Sequence, residues 1–174
     1  MTETWIYERS ADNSARFVLG TAGENPLVCV GVNPSTAAPG DPDLTVSKVM
    51  GFASRNGFDS WVMLNLYPQR STDPKGMHHA HDPQLQAENE RRIAEFVDGR
   101  PLTVLAAWGA LIETRPYLPR MLAGIATVTE KSGSTWVSIG DPLKSGHPRH
   151  PSRAGYEWPL QAFDVANYLG MVRS

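Results

Sequence analysis

Four short stretches rich in apolar residues, with glycine, proline or polar residues close behind them, divide the chain into regular segments. They cover residues 27–32, 60–66, 102–108 and 135–139. Apolar runs of this length, without alternation of polar residues, are typical of strands that are covered on both faces, as in a parallel sheet. The first three stretches therefore predict buried strands, and residues 135–139 predict a fourth strand.

Helical patterns lie between these runs. The first predicted helix begins at Asp41, whose side chain would cap it, and ends at Gly57. A second helix is predicted over residues 82–97, where an Asp-Pro pair provides the start signal. A helix or broken helix, interrupted at Arg115-Pro116, is expected over 110–123, and a last helix over 157–169.

Two further stretches rich in strand-forming residues precede the first run. Residues 5–7 and 15–19 flank the turn-forming segment 11–14, so they predict an N-terminal hairpin. Strands that alternate with helices favour a three-layer α/β/α architecture, here with a central, mostly parallel four-stranded sheet beside the hairpin. The length of 174 residues favours a single domain over residues 1–174.

The composition bears on whether the chain binds nucleic acid and on the cellular compartment in which it works. The net charge is −2, so nucleic-acid binding cannot be inferred from the charge of the whole chain. A local cluster is more suggestive, because Lys144, Arg149 and Arg153 lie in one loop without an acidic residue between 144 and 153. The single cysteine, Cys29, suits a reducing compartment. We expect a cytoplasmic protein with no membrane segment and no metal site.

The most informative motif follows the first buried strand. Gly31 allows close approach of a ligand to the backbone, and Asn33, Pro34 and Ser35 place small polar groups at the strand's end. Ligands of open α/β sheets bind in the crevice outside the carboxyl ends of the strands. Asn65 ends the second run and is expected at the same edge.

Four short motifs, which occur in the same order along the chain as in a known family, carry a resemblance to it. They are Gly31-Val32-Asn33-Pro34-Ser35, Val62-Met63-Leu64-Asn65-Leu66, Leu105-Ala106-Ala107-Trp108-Gly109 and His150-Pro151-Ser152-Arg153. In these four motifs the chain resembles the uracil-DNA glycosylase superfamily, and it is most similar there to the mismatch-specific branch. It is closer still to an uncharacterised family with Asn-Pro-Ser-Thr-Ala and His-Pro motifs. One departure is Ser35, which stands where the mismatch branch has glycine.

The resemblance implies a monofunctional glycosylase that hydrolyses the bond between a flipped, abnormal or modified pyrimidine and its sugar. Asn33 would position water, Asn65 would read the base and His150 would stabilise the departing base. Each of these three residues also has a purely structural alternative: Asn33 could hold the Pro34 turn, Asn65 could satisfy loop backbone, and His150 could be a surface loop residue.

The other implied contacts fall into two groups. Gly31, Ser35 and Tyr67 would contact the base, and the phosphates of single- or double-stranded DNA would meet Lys144, Arg149, Ser152 and Arg153. No cofactor is implied, and a monomer is expected. Two rival functions remain: an enzyme that modifies the base without breaking the glycosidic bond, which Ser35 leaves open, and a binding module without catalysis.

Overall fold

One mixed sheet dominates the computed structural model, which describes residues 3–172. Within those residues the sheet has seven strands: β1 Trp5–Arg9, β2 Arg16–Thr21, β3 Pro26–Gly31, β4 Ser60–Asn65, β5 Thr103–Ala106, β6 Thr135–Ile139 and β7 Leu160–Ala162. Their spatial order is β1-β2-β4-β3-β5-β6-β7. The four inner strands, β4, β3, β5 and β6, are parallel to one another.

The sheet is therefore larger than the four strands expected from the apolar runs. The predicted hairpin forms as β1 and β2, and it joins the same sheet because β2 pairs antiparallel with β4 through Leu19 and Gly20. At the other edge β7 pairs antiparallel with β6. This three-residue strand is only partly buried, so it lacks the apolar run by which the inner strands were predicted.

Four helices of the described chain cover the two faces: α1 Leu44–Arg55, α2 Pro83–Val97, α3 Leu118–Lys131 and α4 Val165–Val172. The buried side of α1 packs on one face, among Leu27, Cys29 and Met63. Buried residues of the other three helices pack on the opposite face, around Val28 and Val30. Alternate side chains of β3 thus enter different cores, which explains why this strand is apolar throughout.

Three helix predictions need correction. Asp43, not Asp41, caps α1, because its Oδ1 accepts a hydrogen bond of 2.8 Å from the Val46 amide. The segment predicted over 110–123 is broken at Arg115-Pro116, as expected, into a 3-10 helix, Gly109–Thr114, and α3, but α3 continues to Lys131. The helix predicted over 157–169 is replaced by β7 and α4, because Asp164 caps the later start by accepting from the Asn167 amide.

None of the helices described between residues 3 and 172 is long and apolar enough to cross a membrane.

Candidate functional site

A cavity of about 200 Å³ opens at the carboxyl edge of the parallel strands. Gly31 ends β3 and pairs in register with Asn65, which ends β4. The residues of the chain directly after β3 form another part of the wall, as does His150, which precedes the 3-10 helix Pro151–Arg153. Five residues predicted for the site line this cavity together: Gly31, Asn33, Ser35, Asn65 and His150.

Asn33 joins the loop after β3 to the loop after β4. Its Nδ2 donates to the carbonyl oxygens of Pro34, Gln69 and Ser71, at 3.1, 3.2 and 3.0 Å. The structural role considered for this residue is therefore present. The same bonds orient the amide so that Oδ1, an acceptor, is the atom left for a ligand or a water in the cavity.

Asn65 is 2% exposed, and its Nδ2 has no hydrogen-bond partner. A buried amide without a partner is uncommon, because desolvation of the donor is not compensated. Gly31 leaves the amide uncovered: a Cβ at that position would lie 3.2 Å from Asn65 Oδ1. The structural alternative, in which the Asn65 side chain satisfies loop backbone, does not account for the unpaired Nδ2.

His150 is held by its own turn. The Ser152 amide donates to Nδ1 at 3.2 Å, and the Ser152 hydroxyl lies 2.7 Å from the same nitrogen. Because Nδ1 accepts, the proton of the neutral ring is on Nε2. Burial lowers the pKa of His150 below its usual 6.5, and the charge of Arg153 adds to this effect against that of Asp43. His150 is thus a neutral hydrogen-bond donor at pH 7.

Two charged residues that were not predicted for the site also line the cavity, Arg16 and Asp43. Arg16 begins β2, and the antiparallel pairing of β2 with β4 brings that end to the carboxyl edge, where the Arg16 amide donates to Pro68 at 3.0 Å. A signal was present in the sequence, because Arg16 is a charged residue inside an otherwise apolar strand. Asp43 was overlooked because Asp41 was assigned as the helix cap.

A second cavity of about 620 Å³ adjoins the first and shares Leu111 and His150 with it. Its wall includes the predicted phosphate contacts Arg149, Ser152 and Arg153, and none of the residues of its wall is acidic. The Arg149 guanidinium lies 4.1 Å from the centroid of the Trp158 ring, so it is held in place by a cation–π contact.

Two predicted residues are not brought to these cavities. Tyr67 is fully buried, and its hydroxyl bonds to His78 Nδ1 at 2.7 Å and accepts from the Asp82 amide at 2.8 Å, so it is not placed to stack on a base. Lys144 is exposed and lines neither cavity. The neighbouring His147 is a core residue, since its Nδ1 lies 2.7 Å from the Tyr168 hydroxyl.

Among residues 3–172 there is no group of three or more His, Cys, Asp or Glu side chains that could hold a metal ion. His78, His79 and His81 share a loop but do not form such a group.

Comparison with known proteins places the chain in a family. No curated protein and no solved structure matches it. The family model described as "Protein of unknown function (DUF1643)" matches residues 16–152, which is well over half of the chain and includes every residue that lines the 200 Å³ cavity. The chain therefore belongs to the DUF1643 family of proteins of unknown function.

Proposed function

We propose that the chain acts on a base of DNA, as a monofunctional glycosylase that hydrolyses the N-glycosidic bond of an abnormal or modified pyrimidine. The observation that carries the proposal is the buried amide of Asn65, whose Nδ2 has no partner at the wall of the 200 Å³ cavity. Pockets for drug-sized ligands measure roughly 300–1,000 Å³. A smaller cavity of this kind suits a single ring that has been extruded from a stacked strand.

Base recognition is assigned to the end of β4. An amide has one donor and one acceptor, which match the O4 and N3–H of a uracil-like ring. Gly31 supports this assignment because any side chain there would press on Asn65 Oδ1. The resemblance of this strand to the base-reading strand of the uracil-DNA glycosylase superfamily supports the same role.

Water activation is assigned to Asn33 and Asp43. With its Nδ2 occupied, Asn33 presents Oδ1 as an acceptor that can orient a water molecule. Asp43 contributes the carboxylate that takes the proton as the water oxygen bonds to C1′ of the sugar. Oδ1 of Asp43 accepts from the Val46 amide, which fixes the carboxylate at the start of α1. A carboxylate is a stronger base than an amide, so Asp43 removes the need for Asn33 to act as one.

Departure of the base is assigned to His150. As the bond from C1′ to the ring nitrogen breaks, the electron pair stays on the base and negative charge develops on O2. A neutral imidazole with its proton on Nε2 can donate to that oxygen without itself losing the proton. Pairing of Nδ1 with Ser152 holds the ring in the required tautomer.

The adjoining 620 Å³ cavity supplies a site for the sugar–phosphate backbone. Arg149, Ser152 and Arg153 offer donors to phosphate oxygens, and contacts of this kind position a strand without reading its sequence. Lys144 would contribute only a longer-range attraction, because it lies outside both cavities.

The test uses labelled oligonucleotides that carry uracil, thymine mismatches or 5-substituted pyrimidines, followed by alkaline cleavage at abasic sites. Asp43→Asn keeps a residue that caps helices well but removes the charge, and we expect the rate to fall by about 10²–10⁴. His150→Gln should lower it by about 10²–10³. Asp41→Asn is the matched control, since Asp41 is an exposed aspartate two residues away that lines neither cavity.

Three outcomes would contradict the proposal. Strand breaks that persist in Asp43→Asn and His150→Gln would remove both residues from the reaction. A change in nucleoside mass without breaks would favour base modification. Binding without either reaction, lost in Arg149→Ala and Arg153→Ala but kept in Asn33→Ala, would favour a binding module.

A further inference from the structure

The 200 Å³ cavity is lined by Arg16, whose guanidinium makes few of its possible hydrogen bonds. Arg16 is 2% exposed, and its Nη1 donates to the Ala37 carbonyl at 3.1 Å. Its Nε is buried without a partner, and no hydrogen bond within residues 3–172 uses its Nη2. None of the ion pairs among those residues involves Arg16. The Nε–Nη2 edge of this side chain is therefore unoccupied.

Arg115 shows how the same fold treats a buried arginine that only supports structure. Its Nε donates to His78 O at 3.2 Å, its Nη1 to Thr114 O at 2.8 Å, and its Nη2 to Lys75 O and Met77 O at 2.6 and 3.0 Å. All three nitrogens are satisfied by backbone carbonyls. Arg16 lacks this arrangement although it is at least as buried, so its position is not explained by backbone support.

The charges around Arg16 leave an excess of positive charge. Burial and the neighbouring Arg70 lower the pKa of Arg16 to about 10, so it is still a cation at neutral pH. The carboxylate of Asp43, which lines the same cavity, attracts Arg16, while its Oδ1 also accepts a hydrogen bond from the Val46 amide. Arg70 itself bonds to Ser35 O and Tyr7 Oη. Arg16 and Arg70 thus carry two positive charges against the one negative charge of Asp43, and a buried cation that is incompletely balanced is unfavourable unless a further anion joins it.

A second donor in the same wall lacks an acceptor, the Nδ2 of Asn65. Of the buried side-chain atoms without partners in residues 3–172, two thus belong to this one cavity wall, and both are donors. Acceptors with negative charge satisfy such a pair best. The edge of a guanidinium matches a planar group with two acceptor oxygens, as in a carboxylate.

We propose that this cavity binds an oxyanion carried by its ligand, with Arg16 pairing through its Nε–Nη2 edge and one of the two Nδ2 hydrogens of Asn65 donated to the same group. A carboxylate on a planar ring fits both the shape of the edge and the volume of the cavity, and a phosphate offers the same chemistry. The inference goes beyond the proposed hydrolysis and does not depend on it. Arg16 is thereby assigned as a residue that determines specificity for charge.

The test uses a pair of probes of equal shape, benzoate and benzamide, with inorganic phosphate as a third probe, all at constant ionic strength. Binding is measured by titration of the ¹⁵N-labelled chain, in which the Nε–H signal of Arg16 reports on the atom itself. We expect benzoate to bind at least about tenfold more tightly than benzamide. Benzoate should also shift the Arg16 signal, and phosphate should compete with it.

Substitution supplies the second arm of the test. Arg16→Gln should reduce the affinity for benzoate to that for benzamide, whereas Arg120→Gln, which removes an exposed arginine of α3, should leave the difference unchanged. Should Arg16→Gln fail to fold, the wild-type titration still decides. Equal binding of the two ring probes without a shift at Arg16, or binding of none of the three, would overturn the inference. Anion binding in a chain that leaves every oligonucleotide intact would instead refute the glycosylase and keep this site.

Discussion

Replacement of Asn33 by alanine should destabilise the fold as well as affect the site. The Asn33 side chain is half-buried, and its Nδ2 lies within 3.2 Å of the carbonyl oxygens of Pro34, Gln69 and Ser71. These carbonyls belong to two loops, one after β3 and one after β4. Asn33→Ala removes the donor that holds the loops together, and it leaves the three acceptors to other donors or to water.

The size of the effect follows from the number of hydrogens. An amide group has two hydrogens, so two of the three contacts can be good hydrogen bonds at one time. At about 0.5–1.5 kcal/mol of net stability for each bond, the free energy of unfolding should fall by about 1–3 kcal/mol. For a chain of this length, that is a decrease of about 2–12 °C in the midpoint of thermal unfolding.

The measurement is urea denaturation of the wild-type protein and of Asn33→Ala at matched concentrations, monitored by circular dichroism. Ser35→Ala is the control from the same loop, since its hydroxyl makes one exposed bond, to Thr72 Oγ1 at 3.2 Å, and its loss should cost no more than about 0.5 kcal/mol. An unfolding free energy that does not change in Asn33→Ala would refute the structural role. Because Asn33→Ala is expected to be less stable, its activity should be assayed well below its midpoint of thermal unfolding.

Three further predictions test other parts of the site. Gly31→Ala should weaken the binding of a base or its analogue by about tenfold or more in a direct titration. The reason is that the new Cβ would press on the amide oxygen of Asn65, and an unchanged affinity would contradict it. Tyr168→Phe should lower the unfolding free energy by about 1–3 kcal/mol in urea, since the buried Trp108 Nε1 loses its 2.9 Å acceptor; an unchanged value would contradict the network. The lowered pKa of His150 means that the unfolded chain binds more protons once the pH falls to about 6.5. Stability should then decrease on acidification from that pH, and His150→Gln should flatten this part of a pH series of urea midpoints.

Much of the fold was predictable because its signals are local. The inner strands β3, β4 and β5 lie in apolar runs and β6 in a shorter stretch of strand-forming residues, and both their approximate positions and their α/β arrangement follow from that pattern. The pair Asp82-Pro83 predicted the start of α2, which the structure confirms. By contrast, β7 has no apolar run of its own, and it forms because the exposed edge of β6 offers unpaired backbone groups.

Apart from His150, which the family resemblance indicated, the candidate site was predictable only at the ends of strands. Asn33 and Asn65 were found because polar residues directly after buried strands are expected at one edge of a parallel sheet. Tyr67 follows β4 in the same way but turns into the core, where its hydroxyl bonds to His78. The direction in which a loop residue points depends on the packing of other segments, which no local pattern contains.

The sequence by itself determines the succession of strands and helices and the presence of polar groups after β3 and β4, because periodicity and turn residues act over a few positions. Only the tertiary structure decides that Arg16 and Asp43 share a cavity with Asn65 and His150. This arrangement depends on the antiparallel pairing of β2 with β4. It also depends on the packing of α1 and of the turn that begins at His150 against the carboxyl edge of the parallel strands. These contacts form because they allow the apolar surface of the whole core to be buried. Many residues along the chain contribute to that free energy, so no local sequence pattern predicts the contacts.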